Sequence, residues 1–248
     1  MGVFDLFSKE GREHRARARN ISRALQKYGQ SADRMKALQA LRDDGSPEAT
    51  YGLLRRFAMM YDKTIEDEQE KEWVFDVLVE KGGSILPSLK KYLQSADSIS
   101  WPLRLLDKVA NKEQIFTTIQ EVLARHEPGY ERDPTKKIQL LNHLAPFKDA
   151  RVSPLAAPYL GDMDEGVRYA AAETLIRQGD ENAARVPLLE IFVSEKEESL
   201  RIRILIADGF VGLGWTVTGY RPAVERNLPE QFQLDKEGHI KKKPGAKE

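Results

Sequence analysis

Chemistry in this chain would have to come from carboxylates, lysines, arginines, tryptophans and a few histidines, because its 248 residues include no cysteine. That removes thiolate nucleophiles, disulfides and cysteine-ligated zinc. The four histidines, His14, His126, His143 and His239, fall at no ligand spacing, and His126-Glu127-Pro128 reads as a helix end running into a loop. The sequence holds no phosphate-cradling glycine loop, no nucleophile elbow and no zinc-binding helix signature. Carboxylates are plentiful, as on any surface that is 31% charged, and none stands out for acid–base work. The acidic stretch from Glu66 to Glu72 suits a helix N-terminus through the macrodipole alone. No catalytic residue, metal site or cofactor is assigned.

Binding residues are easier to nominate. Tryptophans anchor interfaces and stack on planar groups. Trp73, among Val74, Phe75 and Leu78, is expected in a core. In Ser100-Trp101-Pro102 the ring sits at a helix start, where it would stay partly exposed, so Trp101 is assigned to a binding surface.

The formal charge is zero overall but unevenly spread. Residues 1–28 carry +4 and residues 236–248 carry +3, which leaves −7 for the body between them. An acidic body argues against a DNA-gripping groove, and any pull toward anionic membrane belongs to the ends. In residues 1–23, Val3, Phe4 and Phe7 precede Arg12, Arg15, Arg17, Arg19 and Arg23. This segment reads either as an interfacial anchor for an anionic membrane or as a helix covering the first repeat. No run of about 18 apolar residues could span a bilayer and no export signal is evident, so the expectation is a soluble, cytoplasmic protein.

The elements that must position these residues repeat. Val167-Arg168, Ala171-Ala172-Glu173, Leu175-Ile176 and Gly179 return thirty-five positions later as Ile202-Arg203, Ile206-Ala207-Asp208, Phe210-Val211 and Gly214. A two-helix unit of this length predicts an all-α fold, an α-solenoid of about six helix pairs. Pro87, Pro154, Pro187 and Pro222 keep the same rhythm and are each placed in a first helical turn, where the missing N–H costs nothing. Apolar spacing predicts helices beginning with Ile21–Tyr28 and Ser31–Leu41 and ending with Leu200–Val211 and Arg221–Leu228. The divisions expected are a basic arm and first helix over 1–30, the solenoid over 31–228, and a hairpin or basic tail over 229–248, where Gln231–Leu234 and His239-Ile240 flank turn residues.

Asp164-Glu165-Gly166-Val167-Arg168, then Ala170 to Leu175 and Gly179-Asp180, resemble the second-helix half of a HEAT repeat, in particular the short bacterial type found in phycobilisome-lyase-like proteins. The match covers residues 150–214 and thins upstream to apolar spacing. The resemblance implies a right-handed α-α superhelix that binds another protein as a non-enzymatic scaffold or adaptor. It also implies a ladder between repeats joining Asp164 to Arg168 and continuing at Arg203, and a concave wall on which Lys137, Arg168 and Arg203 could instead present donors to a partner. Related repeats build chromophore-lyase subunits and some DNA glycosylases. An enzyme of that kind is the alternative, against which stand the missing cysteine and the acidic body.

Overall fold

The computed structural model describes residues 9–245, which are mostly helical and form two compact units, one ending at Val122 and one beginning at Leu123. The first unit holds α1 (Lys9–Ala24), α2 (Ser31–Asp44), α3 (Pro47–Leu54), α4 (Thr64–Glu80), α5 (Leu86–Ser95), α6 (Ser100–Val109) and α7 (Lys112–Leu123). The second holds α8 (Thr135–Leu144), α9 (Val152–Ala156), α10 (Glu165–Gln178), α11 (Glu181–Val193), α12 (Leu200–Leu213) and α13 (Arg221–Asn227), followed by strands β1 (Phe232–Leu234) and β2 (Ile240–Lys242). In the first unit α2, α4 and α6 pack in one row and α1, α3 and α5 in another; in the second, α8, α10 and α12 form one row and α9, α11 and α13 the other.

The repeat seen in the sequence is a repeat of helix boundaries. Asp164 and Ser199 cap α10 and α12 by accepting from the N–H groups of Val167 and Ile202. Gly179 and Gly214 close the same helices in left-handed conformation at φ 70° and 69°, which an L side chain would strain. Between the caps, Ala170, Ala171 and Ala172 are buried where α10 packs between α8 and α12. Gly209 carries the approach further: a Cβ there would lie 2.7 Å from Ile176. In the other unit, Ser46 caps α3 with Pro47 in its first turn, and Gly45 ends α2 at φ 64°.

Several expectations change. The first helix covers Lys9–Ala24, so the chain is helical well before Ile21, because the Ala-, Arg- and Glu-rich stretch has high helix propensity. Residues 1–8, where Val3, Phe4 and Phe7 fall, lie outside the described residues. Pro187 lies inside α11 rather than in its first turn, because Asp180 caps the helix seven residues earlier by accepting from Ala183. After α3 the chain tightens into a 3-10 turn over 55–58 that holds the buried Arg56. Trp73 is half-buried, with the Arg42 guanidinium 5.8 Å from its ring, so it is not a core residue.

At the C-terminal end of the described residues β1 and β2 pair antiparallel, Phe232 opposite Lys242 and Leu234 opposite Ile240, with Phe232 and Ile240 buried. Gly238, at φ 88°, closes the turn, and its carbonyl accepts from Val217 at 2.8 Å. No helix among the described residues is long and apolar enough to cross a membrane.

Candidate functional site

The charged residues singled out in the second unit sit at equivalent places in successive helices. Lys137 is the third residue of α8, and Arg168 and Arg203 are the fourth residues of α10 and α12. Lys137 is 1% exposed. Its ammonium donates to Asp162 Oδ2 at 2.8 Å and to the Gly129 carbonyl at 2.9 Å. Arg168 grips Glu197 with two nitrogens, Nε at 2.8 Å and Nη2 at 3.1 Å, while Nη1 donates to the carbonyls of Asp162 and Met163. Arg203 donates to the carbonyls of Phe192 and Ser194, both at 3.2 Å, and so caps the end of α11.

This corrects the expected pairing of Asp164 with Arg168. Asp164 is occupied as the α10 cap, and the acid that meets Arg168 comes from the loop leading into the next helix of the row. The two acids share one position. Asp162 and Glu197 each stand two residues before a cap residue and accept its backbone N–H, from Asp164 at 2.9 Å and from Ser199 at 2.8 Å. Each rung therefore joins a cation in one helix to the entry loop of the next. Burial alone would push both carboxyls up. The Lys137 and Arg168 donors, with the backbone N–H groups, outweigh it and hold Asp162 below its ordinary 3.8 and Glu197 below its ordinary 4.5. Beside the first rung, His126 Nδ1 lies 2.7 Å from Glu131, and the Tyr159 hydroxyl, pushed up to about 12 by burial, donates to the carbonyls of Leu123 and His126.

The first unit gathers its buried charge in one place. Arg34, again the fourth residue of its helix, meets Glu70 at 2.8 Å; Arg56 meets Glu70 at 3.0 Å and Asp67 at 2.6 Å; Lys71 meets Asp67 at 2.6 Å. All five side chains are buried. The Tyr61 ring lies between the two guanidinium groups, 4.2 Å from Arg34 and 4.1 Å from Arg56, and its hydroxyl donates to the Ala24 carbonyl at 2.9 Å. The acidic stretch of α4 is thus half structural core, a role its sequence does not reveal. Trp101 lies in this unit, half-buried, stacked flat on Phe57 at 5.6 Å and edge-on to Phe75 at 5.7 Å, with Arg104 4.4 Å from its ring.

Sequence reasoning missed a further feature. The six most exposed large apolar side chains among the described residues all occur at entries to helices of the α2/α4 and α8/α10/α12 rows. In the first unit Tyr28 precedes α2, while Met60 and Ile65 lie before and within the first turn of α4. In the second unit Tyr130 (81% exposed) precedes α8, Met163 (72%) precedes α10 and Leu200 (58%) opens α12. Hydrogen bonds link the three second-unit entries: Gly129 donates to Asp162 at 3.0 Å, Arg168 spans Met163 and Glu197, and the Ser199 hydroxyl donates to Glu165 at 2.7 Å. The usable signal was the spacing of 33 and 37 residues, close to the repeat length. The α6 entry departs from the rule, since Ile99 there is buried.

Among the described residues no group of three or more histidines or carboxylates is placed to hold a metal ion. No protein-family model matches the chain, and no curated protein matches it either.

Proposed function

We propose that this protein is a non-enzymatic recognition scaffold of HEAT-like helix pairs, stacked in right-handed superhelical fashion, that binds another protein through the edge where the row helices begin. The observation that carries the reading is the coincidence of Tyr130, Met163 and Leu200 with three successive helix entries in one unit. Single exposed apolar residues are ordinary on any surface. One at each of three successive entries, before α8, before α10 and at the first residue of α12, is what a surface selected for contact would leave. The rungs support this division of labour. Lys137 and Arg168 hold the entry loops in place with donors directed at their own unit, so recognition falls to the side chains those loops display.

The test is affinity purification from cells that express the protein, comparing the parent with Met163→Ser. Met163 is mostly exposed, so the variant is expected to keep the parent's melting temperature. A protein retained by the parent and lost from the variant supports the reading. Identical sets of retained proteins, or none from either, reject it.

A further inference from the structure

We infer that the partner segment accepted by the second unit is a basic amphipathic helix of another protein. This rests on the scaffold reading and adds the chemistry of the ligand. The apolar contribution is set by Tyr130, Met163 and Leu200, and the electrostatic contribution by the loops that carry them. Across residues 127–135, 162–166 and 195–201, nine carboxylates stand against three basic side chains. Counting the buried Lys137 and Arg168 as well still leaves a surplus of four negative charges. Glu127, Asp133, Glu165, Glu195 and Glu198 are the exposed acids of this edge.

Helix N-termini attract anions, so three of them side by side would ordinarily favour an acidic ligand. Here they are already answered from within: Asp133 accepts from Thr135, Asp164 from Val167 and Ser199 from Ile202. What reaches solvent is a surplus of acid, five exposed carboxylates against the exposed Arg132, Lys196 and Arg201. Geometry selects the form of the ligand. Packed helices lie about 8–10 Å apart, so successive entries repeat at a pitch close to the roughly 10.5 Å covered by seven residues of an α-helix. A helix laid across the entries would seat one apolar side chain per repeat, with lysines or arginines flanking them over the acids.

The probe is a fluorescent synthetic helix of about 18 residues, long enough to cross three entries, built from leucine on one face and lysine on the other, with a leucine–glutamate helix as its counterpart. Anisotropy titrations use the full chain. The lysine helix is expected to bind with an affinity that falls as salt rises. The combined Tyr130→Ser, Met163→Ser and Leu200→Ser variant should weaken it at least roughly tenfold. Glu127→Lys, Glu195→Lys and Glu198→Lys together should weaken it comparably and flatten the salt dependence. Val186→Ser with Leu213→Ser, exposed apolar positions away from the entries, should leave it unchanged. Circular dichroism and melting confirm that each variant is folded.

The inference is overturned if the glutamate helix binds as well as the lysine helix, if the entry substitutions have no effect, if the control pair weakens binding as much as they do, or if the lysine helix does not bind. Should a natural partner nonetheless be lost on Met163→Ser, the scaffold reading stands and only the basic helix falls. Should no partner be lost, both fall.

Discussion

The two units bury charge in opposite ways. The first concentrates five ionised side chains around Tyr61, so that Glu70 answers two arginines and Asp67 answers an arginine and a lysine. The second distributes single rungs, Lys137 with Asp162 and Arg168 with Glu197, one to a repeat. A shared cluster fixes one spot firmly and fails as a whole. A distributed ladder loses one rung at a time. Breaking a buried pair costs more than the pair contributes, since the abandoned charge stays in a low-dielectric site, and Glu70 serves two buried arginines where Lys137 and Arg168 each serve one buried carboxylate.

The largest effect is therefore expected for Glu70→Ala, which leaves the buried Arg34 without a carboxylate and Arg56 with Asp67 alone. Destabilisation of about 5 kcal/mol or more, read from denaturant unfolding, would bear out the contrast; a loss no larger than that of a single rung would erase it. Lys137→Ala strands the buried Asp162, removes the 3.6 Å pairing with the partly exposed Glu131, and is expected to cost about 3 kcal/mol. The two rungs meet only at Asp162, whose carboxylate takes Lys137 and whose carbonyl takes Arg168, so Lys137→Ala combined with Arg168→Ala should depart from the sum of the single effects less than Arg34→Ala with Arg56→Ala, which share the Glu70 carboxylate. A double-mutant cycle in each unit measures this directly.

Acid should attack both designs. Asp67, Asp162 and Glu197 are held below their ordinary values against the opposing push of burial, by Lys71 with Arg56, by Lys137, and by Arg168 respectively. A lowered folded pKa means stability present above the unfolded value and lost as pH falls through the folded one. The melting temperature is expected to hold from neutrality to about pH 5 and to fall below about pH 4. At the alkaline end burial raises Tyr92 and Tyr159 to about 12, so stability present below the ordinary 10 should decline as pH rises toward 12. A flat acid limb down to pH 3 would mean that these carboxylates are not the charges holding the units together. The smallest effect belongs to Arg203→Ala. It removes hydrogen bonds to two neutral carbonyls and a longer-range attraction to Glu197, and should cost about 1 kcal/mol.

How much of this could be read from the chain depends on distance along it. The glycine stops of α10 and α12 were legible because Gly179 and Gly214 act within their own helices, whereas Asp164 reads in the sequence as the partner of Arg168, which hides its capping role. The true partner of Arg168 was not legible, because Glu197 lies 29 residues on and its loop comes to rest beside α10 only after packing. The pattern was nonetheless present: an acid two residues before each cap, at Asp162 and Glu197, repeats at 35. Asp67 and Glu70 look like a solvated face until Arg34 and Arg56 arrive from other elements. Pro187 misled for a local reason, since its spacing imitates the other prolines while Asp180 has already started the helix. The exposed entries were hidden because reading for cores discounts apolar residues in loops.

Arg203 occupies the rung position of α12 yet meets only carbonyls, and this has a consequence for how such a chain could grow. Copying residues 180–214 and inserting the copy after Gly214 would place a second Glu197 29 residues beyond Arg203, the separation that now joins Arg168 to Glu197. The added segment would arrive with its own cap, its own glycine stop and an acid for the cation awaiting it. Gene duplication could therefore lengthen this part of the molecule in whole steps, each join already written into the residues on either side.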